Sequence, residues 1–163
     1  MTNNSPDGTP LLEKIPGRAD VGARLGILAG EERFAALATV SAGIPHLSLI
    51  AFAVTPELDE LVFATPRNTD KFENILADPR VSVLVDSRHA ATDGVMGAEA
   101  ISLDGIARVL APGPRREEMA ALLLRRHADL AAFLAADSTE LISLKFGLAI
   151  HVDAFQRVSV GGG

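Results

Sequence analysis

Three apolar runs of strand length follow one another with almost nothing between them: Phe34–Ser41 (FAALATVS), Pro45–Val54 (PHLSLIAFAV) and Glu60–Thr65 (ELVFAT). Ala42-Gly43 separates the first pair, and Thr55-Pro56-Glu57-Leu58-Asp59 the second. Both connections are turn-rich and far too short for the crossover that parallel strands need. The segment therefore predicts an antiparallel meander. In the second run Leu47, Leu49, Ala51 and Ala53 share one face, and His46, Ser48, Ile50, Phe52 and Val54 the other.

The pattern then changes. Pro66-Arg67-Asn68-Thr69-Asp70-Lys71 is polar and breaker-rich, and Phe72, Ile75 and Leu76 recur at helical spacing after it. Asp70 with Glu73 fits a capping box, which places a helix start close to Asp70. Asp78-Pro79 ends that helix, and Arg80–Asp86 (RVSVLVD) alternates as a strand. A loop over 87–99 leads to Ala100–Leu110 (AISLDGIARVL), with Gly105 at a candidate bulge.

Beyond Pro112-Gly113-Pro114, an apolar stripe through Met119, Leu122, Leu123, Leu130, Phe133 and Leu134 predicts a core-facing helix, with Arg125-Arg126-His127 on its solvated side. Glu140–Phe146 and Leu148–Phe155 read as two last strands around Gly147. Upstream, Val21, Leu25 and Leu28 mark a short helix stopped by Gly30. Residues 1–18 read as a mobile leader, 19–158 as a single domain, and 159–163 as a mobile tail. The order of elements predicts a mainly β protein with added helices, an antiparallel barrel and not a Rossmann fold.

Composition narrows the function. The 163-residue chain is 48% hydrophobic and 22% charged, an ordinary globular balance. It has no cysteine, which excludes disulfides, thiolate metal sites and a cysteine nucleophile. A net charge of −6 is poorly suited to nucleic-acid binding, so no nucleic-acid partner is expected. No apolar run approaches the ~18 residues of a membrane span, and no basic, apolar signal opens the chain, so a cytoplasmic protein without a membrane partner is expected. GxGxxG, P-loop, HExxH and GxSxG motifs are missing. His46, His89, His127 and His151 have no shared metal spacing, so no metal ligand is assigned. His46 reads as a rim residue, Arg88 and His89 as loop residues, and His151 as facing a groove or solvent.

Local physics converges at Ala64–Lys71 (ATPRNTDK), where a strand ends, a polar loop follows and a helix begins. The first turn of a helix has unsatisfied N–H groups and a partial positive charge. Arg67 and Lys71 add cations there, and Thr65, Asn68 and Thr69 add side-chain donors. That combination suits a phosphate dianion. The same residues also read as a plain capped helix with solvated bases.

The runs FAALATVS-AGIPHLSLIAFAV, LVFATPRNTDKFENILADPRVSVLVD and AISLDGIARVL resemble the FMN-binding split β-barrel superfamily, the pyridoxamine 5′-phosphate oxidase-like proteins. The similarity runs from about residue 30 to 110 and more loosely to 157. It implies a homodimer with FMN in a groove between the subunits. It places His46, Ser48, Leu49 and Ile50 against the isoalloxazine ring, and Thr65, Thr69 and Lys71 on the FMN phosphate. The true oxidase usually has a base just before that lysine, where this chain has Asp70; Arg67 is the candidate replacement, with Asn68 beside it.

The chain also lacks the tryptophan-rich ending of the true oxidase, so pyridoxamine phosphate oxidation is not expected. Its segment LKFGLAIHVDAFQRV is instead similar to the haem-utilisation branch, through Phe155-Gln156-Arg157. The resemblance implies a flavin-dependent oxidoreductase acting on a small-molecule substrate. Its alternatives are a haem-binding or haem-degrading protein of the same barrel, a non-catalytic flavin module, or a deazaflavin in place of FMN. No catalytic residue is assigned.

Overall fold

A computed structural model describes residues 21–92, 94–153 and 157–162. The expected leader, and Phe155 and Gln156 of the haem-like ending, lie outside the described residues.

The elements follow in the order α1 (Val21–Glu31), β1 (Phe34–Ser41), β2 (Ile44–Val54), β3 (Glu60–Pro66), α2 (Asp70–Ala77), β4 (Arg80–Asp86), β5 (Glu99–Val109), α3 (Pro114–Arg126), α4 (Ala131–Leu134), β6 (Thr139–Asp153) and β7 (Arg157–Gly162). The sheet runs β3-β2-β1-β4-β5-β6-β7, all antiparallel, and β3 also pairs with β6. That last pairing closes six strands into a barrel.

Alternation along the strands fills the interior. Phe52 and Phe63 are directly opposed on β2 and β3, and both are fully buried. Burying an aromatic of this size contributes roughly 1.5–3 kcal/mol. Leu37, Val83, Ile101, Leu103 and Leu144 complete the same core, and α1 adds Val21, Leu25 and Leu28. A second, smaller cluster lies where Met119 and Leu123 of α3 pack on Ala53, Val62 and Leu141.

Several expectations change. Gly147 does not divide two strands: β6 is continuous, and the pairing jumps from Asp104↔Leu148 to Gly105↔Phe146. Gly147 is the extra residue of a bulge, and Gly105 is its neighbour on β5. Of the expected mobile tail, residues 159–162 are not mobile; they pair with β6 from Leu148 to His151 as part of β7, and Gly163 lies outside the described residues. A Cβ placed on Gly161 would lie 3.1 Å from Val21 Cβ, so glycine lets this strand pack closely on α1.

The long helical stripe is interrupted at His127. That side chain is buried, with Nε2 2.9 Å from the Phe52 carbonyl oxygen, and so is not on a solvated face. Arg126 is likewise turned inward, its guanidinium carbon 5.8 Å from the centre of the Phe52 ring. Leu76, expected on the buried stripe of α2, is exposed, whereas Phe72 and Ile75 are buried.

Candidate functional site

The barrel is open along one seam. β2 pairs with β1 over its whole length, Ile44 to Ala51 included. On its other side it pairs with β3 only at Phe52, Ala53 and Val54. β3 meanwhile stays on β6 as far as Pro66↔Thr139. From Ile50 back to Ile44, then, the β3-facing edge of β2 has no strand on it among the described residues. Backbone N–H and C=O groups there are available to a ligand.

The end of β3 and the start of α2 stand next to that seam. Thr65 is buried, and its hydroxyl lies 2.9 Å from that of Thr69. Thr69 donates to the Pro66 carbonyl at 2.9 Å, so the hydrogen between the two hydroxyls comes from Thr65. These bonds clamp the 65–69 loop. They also explain why the expected capping box does not form. Thr69, not Asp70, is the N-cap, with extended backbone, and no side chain caps the helix. Its hydroxyl is already committed to Pro66. The first-turn N–H groups of Asp70 and Lys71 are consequently left for an outside acceptor.

α2 is held in place from below. Phe72 and Ile75 enter the core, and buried Asn74 donates through Nδ2 to Thr39 Oγ1 at 3.0 Å. Thr39 pairs across β1 with His46. The amide bond thus ties the helix to the strand pair that carries the seam.

The cations separate into two roles. Lys71 is half-buried and has no ion pair among the described residues. Arg67 is committed elsewhere: its Nε lies 2.6 Å from Glu140 Oε1, while Arg116 holds the other carboxylate oxygen at 3.0 Å. Arg116 is fixed in turn by the Leu110 and Thr139 carbonyls. Burial pushes the Glu140 carboxyl up, but the hydrogen bonds and charges of Arg67 and Arg116 outweigh it and hold the group below the usual carboxylate range.

A depressed folded value stabilises the fold above the ordinary Glu range and is lost as pH falls through it. Glu140→Gln should therefore cost about 1–2 kcal/mol at neutral pH. In urea melts across the acid range, the variant should lose less stability on acidification than the parent.

The remaining expected residues are spread over the two faces of β2. His46 and Ser48 are half-buried beside the seam. Ile50 is in the barrel core and can offer a ligand only its main chain. Leu49 points to the outer face and is 70% exposed. Asn68 is exposed on the loop.

Sequence reasoning missed the cluster around Glu99, whose carboxylate receives Arg24 Nε and stands 2.9 Å from Nε2 of His151. His151 is buried there, not facing solvent or an open groove. The 87–99 loop is pinned at its base by Ser87 and Glu99. Arg88 pairs with Asp86, and His89 Nδ1 lies 3.2 Å from the buried Glu32 carboxylate.

A closed antiparallel barrel, one open seam and an uncapped helix start beside it define the split-barrel class. The family model for pyridoxamine 5′-phosphate oxidase matches residues 27–156, and the chain belongs to that family. No curated protein matches it in sequence. Solved structures are similar in fold. A heme binding protein from Mycobacterium smegmatis superposes with a TM-score of 0.79 at 18% identity, covering 89% of this chain and 59% of that one. HutZ from Vibrio cholerae, a heme storage protein, gives 0.69 at 16% identity over 89% of this chain and 98% of its own. A FAD-binding protein from Mesorhizobium loti gives 0.61 at 19% identity over 79% and 90%. The chain therefore spans about three-fifths of the mycobacterial protein. Among the described residues no helix is long and apolar enough to cross a membrane.

Proposed function

We propose that this chain binds FMN in the seam between β2 and the β3–α2 loop and works as a flavin-dependent oxidoreductase on a small molecule. The observation that carries this reading is the uncapped first turn of α2, with Lys71 beside it, unpaired among the described residues, and the Thr65–Thr69 clamp behind it. Orphan N–H groups plus an uncommitted ammonium form the donor set that a phosphate monoester needs. Asp70, exposed in the same turn, opposes the dianion, and Arg67 is already shared with Glu140. The anchor is therefore weaker than a two-base loop would be.

When bound, FMN supplies the redox chemistry. The chain's residues hold the phosphate, offer main-chain partners along the free edge of β2, and leave ring contacts to His46 and Ser48. Adding FMN to purified protein should give a bound flavin spectrum that survives gel filtration. Protein that stays colourless with FMN would end this reading.

A second copy of the chain completes the proposal. On the outer face of β1, β2 and β4, Leu47 (77% exposed), Leu49, Phe34 (54%) and Leu84 lie around Ala36 and Ala38. The register makes them contiguous: Ala38↔Leu47, Ala36↔Leu49 and Ala36↔Leu84. A clustered apolar face of this kind supports an interface there. The resemblance supports a symmetric dimer with the flavin at its edge. Sedimentation should report a dimer, and Leu47→Glu with Leu49→Lys should yield a folded monomer with weakened FMN binding.

The haem reading is favoured by the heme-binding and heme-storage neighbours. It predicts a Soret band on adding haemin, unaffected by excess FMN.

A further inference from the structure

At the end of β2 away from His46, a cleft of about 360 Å³ opens between α1, α3 and the turn after β2. Val54, Leu58 and Leu122 give it an apolar wall. Gly30 lines it as well, and a Cβ added there would meet nothing within 4 Å. Two adjacent arginines stand over this wall.

Arg126 donates to the Gly30 carbonyl at 3.0 Å and to the Glu32 carbonyl. Its Nε–H is buried without a partner. Its partners are neutral main chain. The nearby Glu32 carboxylate is 3.2 Å from His89 Nδ1 instead. Burial, with the charge of Arg33 adding to it, holds the guanidinium below the usual arginine range, while Glu32 acts the other way. Arg125 is exposed and has no ion pair among the described residues. A half-buried cation held by two carbonyls and the Phe52 ring, with no carboxylate partner among the described residues, an exposed cation next to it, and an apolar wall below are complementary to a carboxylate with an aliphatic tail.

We propose that this cleft is a second binding site, for a medium-chain carboxylate. Arg125 takes the carboxylate, Arg126 adds its field, and the tail covers Val54, Leu58 and Leu122. The assignment is independent of the flavin seam, which lies at the other end of β2.

The test is a titration of decanoate, below its aggregation concentration, into the full chain. It is followed by the amide resonances of Gly26 and Gly30. Saturable shifts are expected with decanoate and none with decyltrimethylammonium, which has the same tail and the opposite charge. Arg125→Glu should weaken decanoate by about tenfold or more. Gly30→Leu should abolish binding by filling the cleft, while raising the thermal midpoint, because leucine is the better helix former. Any of three results overturns the assignment: shifts that never saturate, equal binding of the cationic amphiphile, or parental affinity in both variants.

Discussion

Lys71→Ala is expected to weaken FMN binding by about 10- to 100-fold, the equivalent of one charge-assisted hydrogen bond of about 1.5–3 kcal/mol. The same substitution should leave riboflavin affinity unchanged, because riboflavin has no phosphate. The asymmetry tests the anchor itself and not the ring pocket. Arg67→Ala should do much less to FMN, since its guanidinium is held at 2.6 Å by Glu140 and would have to leave that partner to reach a phosphate. Its cost should appear in stability, through the Glu140 carboxylate it leaves behind. Isothermal titration with both flavins on both variants reads the pattern. Equal losses for riboflavin and FMN with Lys71→Ala would place the phosphate away from α2.

Asp70→Lys extends the same argument. The exposed carboxylate lies in the same first turn as the proposed anion site and opposes it by its charge, so reversing that charge should tighten FMN and, again, spare riboflavin. An anion site built from a helix start is tuned by such neighbours within one turn and little beyond it.

The positions of the strands were legible, though not their order in the sheet, because period-2 alternation is a local property. β1, β2 and β4 match their expected runs to within a residue, since Val81, Val83 and Val85 announce a buried face without help from elsewhere. The helix start near Asp70 was legible for the same reason. The Gly105 bulge was foreseen, but the other features set by a distant partner were not. Gly147 interrupts alternation just as a turn would, and only β5 running alongside shows that the strand continues. His127 reads as a solvated helix residue until the Phe52 carbonyl, 75 residues away in sequence, is seen to hold it. β7 looks like a fraying end because its pairing with β6 and its packing on Val21 have no local signature. The Thr65–Thr69 hydroxyl pair lies within five positions of sequence, in a loop that the chain pattern singled out. The Arg67–Glu140 pair spans 73 residues, and nothing near Arg67 announces it.

The largest stability effect should come from a residue that touches no ligand. A Cβ on Gly105 would sit 2.2 Å from the Lys145 carbonyl oxygen and 2.8 Å from Phe146 Cα. Both are backbone atoms of the strand paired to it, so no rotamer change relieves the clash. To admit even a methyl group, β5 and β6 must move apart at the bulge, where β6 leaves β3 and takes up β7. Gly105→Ala is therefore expected to cost about 3 kcal/mol, toward the upper end for overpacking, and Gly105→Val more. Gly30→Ala is the matched control. Its Cβ meets open space at the end of α1, and it should gain up to about 1 kcal/mol. Urea midpoints separate the two, with m unchanged if the unfolded states are alike. If Gly105→Ala melts with the parent, the two strands can separate at the bulge without cost and it is not a rigid joint.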